Sequence, residues 1–436
     1  MALTYLYRTT GTATSTQKFT VSAWVKQCLN PTGATDQTIW GNGSSTTNLT
    51  YLRLRSANNS LQFYLEAGGT EISNYVTNRL FRDVSAWYHI VLAVDTTQTT
   101  AANRVKIYVN GVQETSFSSS VVPSVNHSVA YSSNNLVNIG RRPHANDSYF
   151  DGYMNNVVFV DGTQLTPTSF GETDSTSGIW KWKKITGVTW GTNGFHLKMD
   201  NDANLGLDSS GNTNNLTPSG NGIQAKDTPI NSRATLNPLN RRLTTNNPTY
   251  SNSNTSLQGQ TVNGQNNNAI ATFGDLKSGK WYFEVKVGTA GDSWGIGIAD
   301  NPQGANGNGT GGNYHVYYQL DGYKNVGAAG GSSYGATFTT GNIIGCAFDL
   351  DNGTIIFYKD GATQGTADTG LITNMVDGYT PIGFTNKGLM HWNFGNGYFG
   401  TTKITSAGSN GNGSLFEYDV PSGYYALNTK NINTYG

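Results

Sequence analysis

The sequence predicts an all-β protein of two antiparallel sandwiches in tandem, and three observations carry that prediction. Apolar residues recur at alternate positions along short runs, the period of a half-buried strand. Asx-Gly pairs separate several of those runs, as tight hairpins require. Charged residues make up only 12% of the chain, about half the usual share. Gly (54 residues), Asn, Ser and Thr take their place, while Tyr (24) and Trp (9) stay plentiful. That mixture supplies turns and strands rather than helices or disorder.

The first clear strand is Phe19 to Lys26, followed by Tyr51–Leu54 and Leu61–Leu65. Trp87 to Asp95 is almost wholly apolar and reads as a central strand. Arg104 to Val109 then ends at Asn110-Gly111, a two-residue hairpin signal. The second half repeats the scheme: Lys280–Val287, Trp294–Ala299, Ile343–Asp349, a turn at Asp351-Asn352-Gly353, Thr354–Lys359 and then Asp360-Gly361. The polar stretch 212–270 has too few apolar residues for a core of its own. The expected division is therefore 1–222 for the first sandwich, 223–270 for a connector with edge strands, 271–402 for the second sandwich and 403–436 for a tail.

Net charge is zero, and the densest basic clusters, Trp180–Lys184 and Asn240–Arg242, are short. This argues against nucleic acid, whose binding rests on neutralising phosphates. Cys28 and Cys346 lie far apart within apolar runs and read as packed thiols. No signal peptide opens the sequence, and no stretch reaches the length of a membrane span.

Phe19–Lys26, Trp87–Val91, Val105–Gly111 and Phe150–Val157 together resemble laminin-G-like, concanavalin-A-like domains over about residues 3–172. Phe195–Asp200 with Asp208–Asn212 looks like that family's opening strand placed last, implying a circularly permuted sandwich. The second half resembles a SPRY domain through Gly279–Val285, Trp294–Ala299, Gly341–Gly345, Asp349–Gly353, Asp360-Gly361 and Asn393–Gly395. SPRY resemblance implies a binding module that uses surface loops and has no catalytic residues. The tandem, with Ala234–Leu239 and Tyr424–Thr429, is similar to virion proteins of marine tailed phages.

Candidate chemistry is sparse. Glu417 and Asp419 share one strand face, as in the Glu-x-Asp-x-x-Glu pattern of glycosidases. However, Pro421 and Ser422 follow, the third acid is absent and the two lie in the tail. His89 reads as a packed histidine, and His391, beside Trp392, sits in a loop-aromatic setting. Asp200, Asp202, Asn204 and Asp208 form a candidate calcium site, because hard oxygens recur at alternate positions. Gly304 to Gly312 lacks the Lys-Ser/Thr of a phosphate loop and reads as a surface loop. Trp294, Tyr314, Tyr317, Tyr318 and Trp392 form a candidate ligand-binding aromatic cluster, with at least one of Tyr317 and Tyr318 in the core.

The resemblance therefore implies a non-enzymatic phage surface protein, a tail fibre or appendage component. It would bind host receptor or glycan through sandwich loops. A capsid decoration contacting other virion proteins is the alternative, and a glycan-degrading spike the third. Its partners would be other virion proteins and a host surface glycan or receptor, without nucleic acid or membrane insertion. It would be a homo-oligomer, with a trimer among the states allowed, made in the host cytoplasm and carried on the virion surface. No cofactor is called for beyond calcium.

Overall fold

The computed structural model describes residues 4–28, 35–129, 134–239, 248–260, 266–302 and 314–436. The chain divides into two compact units, residues 1–224 and 225–436. The Gly304–Gly312 loop and the Asn240–Arg242 cluster lie outside the described residues.

Among the described residues the first unit holds sixteen strands: β1 (Tyr5–Thr9), β2 (Lys18–Gln27), β3 (Gln37–Ser45), β4 (Asn48–Leu54), β5 (Ser60–Ala67) and β6 (Thr70–Leu80) come first. Then follow β7 (Tyr88–Asp95), β8 (Val105–Val109), β9 (Val112–Gln113), β10 (Phe117–Val121), β11 (Leu136–Ile139) and β12 (Gly152–Asp161). The short strands β13 (Gly171–Thr173), β14 (Trp180–Trp182), β15 (Phe195–Leu197) and β16 (Thr217–Ser219) complete it. One sheet runs β10-β6-β5-β4-β3-β11-β1-β16 and the other β15-β12-β2-β7-β8-β9. Alternation in β2 sends Phe19, Val21, Ala23 and Val25 inward. There Trp40 stacks between Phe19 and Phe159, at 5.5 and 5.7 Å between ring centres.

The second sheet of this unit is apolar on both faces. Val91, Ala93, Tyr108, Val158 and Val160 point away from the core and are covered by Phe170, Leu165, Ile185, Val188 and Trp190. Segment 162–194 is therefore a lid on the sheet, and β7 is apolar from Ile90 to Val94 because it is buried from two sides. Trp180 belongs to the same cover. Its indole N–H donates to His89 Nδ1 at 2.9 Å, which leaves the His89 proton on Nε2, 2.8 Å from Ser22 Oγ. Burial holds the His89 imidazole down at about 3. Its ring is a packed, neutral connector.

The second unit holds β17 (Thr249–Ser251), β18 (Ser256–Gln258), β19 (Asn267–Ile270), β20 (Lys280–Thr289), β21 (Ser293–Asp300), β22 (Tyr314–Gln319), β23 (Tyr323–Val326) and β24 (Gly331–Ser333). It continues with β25 (Ile343–Asp349), β26 (Thr354–Lys359), β27 (Ala362–Asp368), helix α1 (Leu371–Asn374), β28 (Tyr379–Asn386) and β29 (Leu389–Asn393). The hairpin β30 (Tyr398–Phe399) and β31 (Thr402–Lys403), strand β32 (Tyr425–Ala426) and helix α2 (Thr429–Tyr435) end it. Its sheets run β17-β18-β29-β20-β25-β26-β27, with β32 added parallel to β20, and β19-β28-β21-β22-β23-β24. Phe283 stacks on Trp392 at 5.4 Å and lies 5.7 Å from Phe394 in the core.

Residues expected to be connector and tail are structural members of this unit. Leu236 is fully buried and bridges to Ala271. The Ala234 N–H donates to Leu427 O at 3.0 Å, and the buried Arg233 guanidinium donates to Ser414 Oγ at 2.8 Å. Phe416, Val420 and Ala426 cover Tyr282 and Ala347 on the outer face of the sheet.

Both Asx-Gly turns form as read. Asn110 and Gly111 have φ of 48° and 81°, and Asp360 and Gly361 have 49° and 80°, the left-handed pair that a two-residue hairpin needs. A Cβ on Gly111 would also run into the Trp180 ring. Gly111→Ala is therefore expected to lower stability by about 1–3 kcal/mol and to loosen the Trp180 cover. Urea unfolding followed by tryptophan fluorescence checks this, and an unchanged midpoint would contradict it.

Candidate functional site

Two buried carboxylates in the second unit set what its surface can display. Asp300 ends β21, fully buried, and makes no ion pair among the described residues. Its oxygens accept three consecutive backbone amides, from Val376 at 2.6 Å and from Asp377 and Gly378 at 2.9 Å each. A carboxylate removed from water needs such donors, and three amides supply them without a counter-charge.

The segment so held, residues 370–378, is fixed at its other end too. Leu371 is fully buried, its N–H donates to Gly353 O at 3.1 Å, and its carbonyl accepts the Tyr379 hydroxyl at 2.9 Å. Asp368 accepts the Gly370 N–H at 3.0 Å and the Tyr314 hydroxyl at 3.1 Å. Asn301 Nδ2 donates to Asp377 at 2.9 Å. Gly378 has φ of 114°, and a Cβ there would lie 2.5 Å from the Asp275 backbone. Between these anchors Ile372 and Val376 stand in solvent, 53% and 65% exposed. Exposed acids Asp275 and Asp377 flank them. The result is a rigid loop with an apolar tip and an acidic border.

Glu284 plays a parallel part on β20. It is fully buried on the outer face of its sheet and makes no ion pair among the described residues. It accepts the amides of Glu417 at 2.9 Å and Tyr418 at 3.0 Å, and the Tyr282 hydroxyl at 3.2 Å. Burial raises its carboxyl to about 7, against the pull of those donors. It fastens the C-terminal segment to the sheet.

The aromatic cluster expected to bind ligand is corrected. Trp294, Tyr317, Tyr318 and Trp392 are all fully buried. Trp294 and Tyr318 pack on Phe338 at 5.3 and 4.9 Å. Tyr317 points to the opposite face and packs on Phe384 at 5.4 Å. Both faces of β22 are covered, so strand alternation brings neither tyrosine to the surface. Tyr314 alone is partly exposed, and its hydroxyl is engaged by Asp368. His391 lies in β29 with Nδ1 at 2.7 Å from Ser256 Oγ, a strand position and not a loop.

The calcium reading is corrected as well. Asp208 already accepts the amides of His196, Ser210 and Asn214 at 2.8–2.9 Å, and the Ser210 hydroxyl at 2.8 Å. Asn204 accepts the Gly206 amide at 3.1 Å, whereas Asp200 and Asp202 are exposed. Among the described residues no group of three His, Cys, Asp or Glu could hold a metal ion. The Asn204 and Asp208 oxygens serve Asx turns instead. Glu417 and Asp419 also act locally, accepting the amides of Thr405 at 2.8 Å and Ser409 at 2.6 Å. No described helix is long and apolar enough to cross a membrane.

Comparison with known proteins adds two family matches. Residues 4–169 match the concanavalin A-like lectin/glucanases superfamily, and residues 280–376 match the SPRY domain. Ran-binding protein 10 of Danio rerio is 36% identical over 121 residues, covering 27% of this chain and 20% of that protein. Ran-binding protein 9 of Homo sapiens is 36% identical over 121 residues, 27% of this chain and 16% of that protein. The chain thus spans about a fifth of the length of the first of these curated relatives. Among solved structures, the SPRY domain of human HERC1 aligns at a TM-score of 0.30 and 16% identity, covering 36% of this chain and 96% of that one.

These relatives overturn the phage expectation. They are Ran-binding proteins of animals, and nothing in them points to a tail fibre, appendage or capsid decoration. Virion partners, host glycan or receptor, and a virion-surface location fall with it. The two segments that suggested a virion, Ala234–Leu239 and Tyr424–Thr429, are explained by packing: the fold hydrogen-bonds them to each other through Ala234 and Leu427.

Two measurements test the carboxylate anchors. Asp300→Asn replaces an acceptor oxygen by a donor facing amide donors and is expected to cost about 1–3 kcal/mol in urea unfolding; equal stability would contradict the anchor. For Glu284 the fold holds its proton up to about 7, against an ordinary value of 4.5. That contribution is complete below pH 4.5 and is lost as pH rises to about 7, up to about 3 kcal/mol. The stability difference between the native chain and Glu284→Gln should shrink over that window, and a pH-independent difference would contradict the assignment. Burial also lowers His315 and His391, and comparing the two proteins removes titration that the substitution leaves unchanged.

Proposed function

We propose, for a chain that carries a concanavalin A-like domain followed by a SPRY domain, a non-catalytic role in protein binding. In this reading the 370–378 loop of the second unit is the contact surface. The observation that carries it is the pinning of three successive amides by Asp300, which holds Ile372 and Val376 out of the core. Exposed apolar residues on an ordered loop bury area on binding at little ordering cost. The acidic border formed by Asp275 and Asp377 favours a partner segment with an apolar anchor between basic residues. The likeness to proteins named for binding Ran supports a protein partner over a small molecule. Absence of catalysis is supported by the engagement of each acid that was weighed for it. Glu417 and Asp419 both hold backbone amides, and His89 donates to Ser22 rather than accepting its proton.

The test is a random-peptide display selection on the full chain, with Ran offered as a separate protein ligand. Selected ligands should be rich in apolar residues beside Lys or Arg. The double substitution Ile372→Asp and Val376→Asp should weaken them by about tenfold or more at an unchanged melting temperature. Failure to select any protein or peptide ligand, or ligands indifferent to both substitutions, would contradict the reading.

A further inference from the structure

The first unit carries a surface of different chemistry. In β1 Leu6 enters the core while Tyr5 and Tyr7 occupy the other face of the sheet. Register places Tyr7 beside Asn138 of β11, and Asn138 beside Gly41 of β3. Residues 140–150 fold back over this face. The Gly140 N–H donates to Ile39 O at 3.1 Å, and the Phe150 N–H donates to Gly140 O at 2.9 Å. The Pro143 ring occupies the space that Gly41 leaves, where a Cβ would meet it at 2.6 Å. His144 Nε2 lies 2.8 Å from Gly43 O, and Arg142 pairs with Asp147 at 2.9 Å inside the loop. A loop held at so many points sets Arg141 and Tyr149 firmly beside β1.

There the Arg141 guanidinium carbon sits 3.6 Å from the Tyr5 ring centre and 6.0 Å from that of Tyr149. Tyr5 lies 5.6 Å from Tyr7 and 6.1 Å from Tyr149, between ring centres. Tyr7 is 36% exposed. The other arginines of this sheet face meet acids: Arg53 pairs with Asp36 at 2.6 Å and Arg142 with Asp147. Arg141 has no ion pair among the described residues and donates Nη1 to the neutral Asn146 side chain at 3.2 Å. Ring faces orient a guanidinium without cancelling its charge.

We propose that Tyr5, Tyr7, Tyr149 and Arg141 form a docking platform for an acidic, extended protein segment. A carboxylate of the segment pairs with Arg141, and an adjacent apolar side chain lies on Tyr7. Charge complementarity selects this occupant, since the one uncompensated group on the platform is a cation. Stacking on Tyr5 already restricts the Arg141 rotamers, so less freedom is lost on binding. Tyr and Arg are also the residues that dominate interface energetics.

Fluorescence anisotropy of the full chain with a labelled peptide of alternating glutamate and leucine tests this. A lysine–leucine peptide and a single-stranded oligothymidylate serve as opposite-charge and nucleic-acid probes. The acidic peptide should bind saturably. Arg141→Glu should weaken it by about tenfold or more, and Tyr7→Ser by about threefold or more. If Arg141→Glu lowers the melting temperature, Tyr7→Ser, at an exposed side chain, carries the test. No saturable binding of the acidic peptide, equal binding of the lysine peptide, indifference to both substitutions, or binding of the oligothymidylate instead would each overturn the proposal.

Discussion

A buried carboxylate that meets backbone amides in place of a cation is the interaction on which the second unit's surface depends. Asp300 and Glu284 each sit at zero exposure inside a sandwich built from strands, where an uncompensated charge would be expelled. Chain segments without regular structure bring successive N–H groups to each, enough to take the place of a cation at Asp300, while Glu284 keeps its proton up to about 7. The dependence runs both ways. The segments lack ladder partners for those amides, and the carboxylates lack any other charge balance. Remove either side and the other is left unsatisfied.

Two-sided burial of the sheets is the second constraint. In β21, Trp294, Ile296 and Ile298 face the core, while Gly295 leaves room on the outer face for the Phe384 ring and Gly297 lies against the β22 backbone at Val316. In the first unit, the segment from Leu165 to Trp190 does the covering over Val91 and Val158. A sheet dressed on both faces has little free surface, so what remains for binding is confined to loops and to uncovered patches. The loop bearing Ile372 and Val376 and the platform around Arg141 are of those two kinds, one on each unit.

Hairpins were legible in the sequence because their cause is local. Asn110-Gly111 and Asp360-Gly361 take positive φ whatever surrounds them, and the central placement of β7 follows from its unbroken apolar run. The aromatic cluster was misread because alternation assumes one wet face, and the cover over β22 comes from residues distant in sequence. Phe416, Val420 and Ala426 hide in a Gly-, Asn- and Ser-rich stretch whose apolar residues have no period, so the segment reads as a tail although it packs on Tyr282. Glu284 gave one faint signal, an acid within a run whose neighbours on both parities are apolar, Tyr282-Phe283-Glu284-Val285, whereas Asp300 ends its run before Asn301-Pro302 and gave none. Their partners, amides 76 and 133 residues away, have no sequence identity to read.

Amide hydrogen exchange at Val376, Asp377 and Gly378 tests the central claim most directly, because none of the three lies in a helix or strand. Anchoring by Asp300 requires these amides to exchange as slowly as those of the neighbouring strand β28, through large opening events. Exchange at the free rate of an exposed loop would show that the carboxylate does not hold the segment, and the ordered apolar tip would go with it.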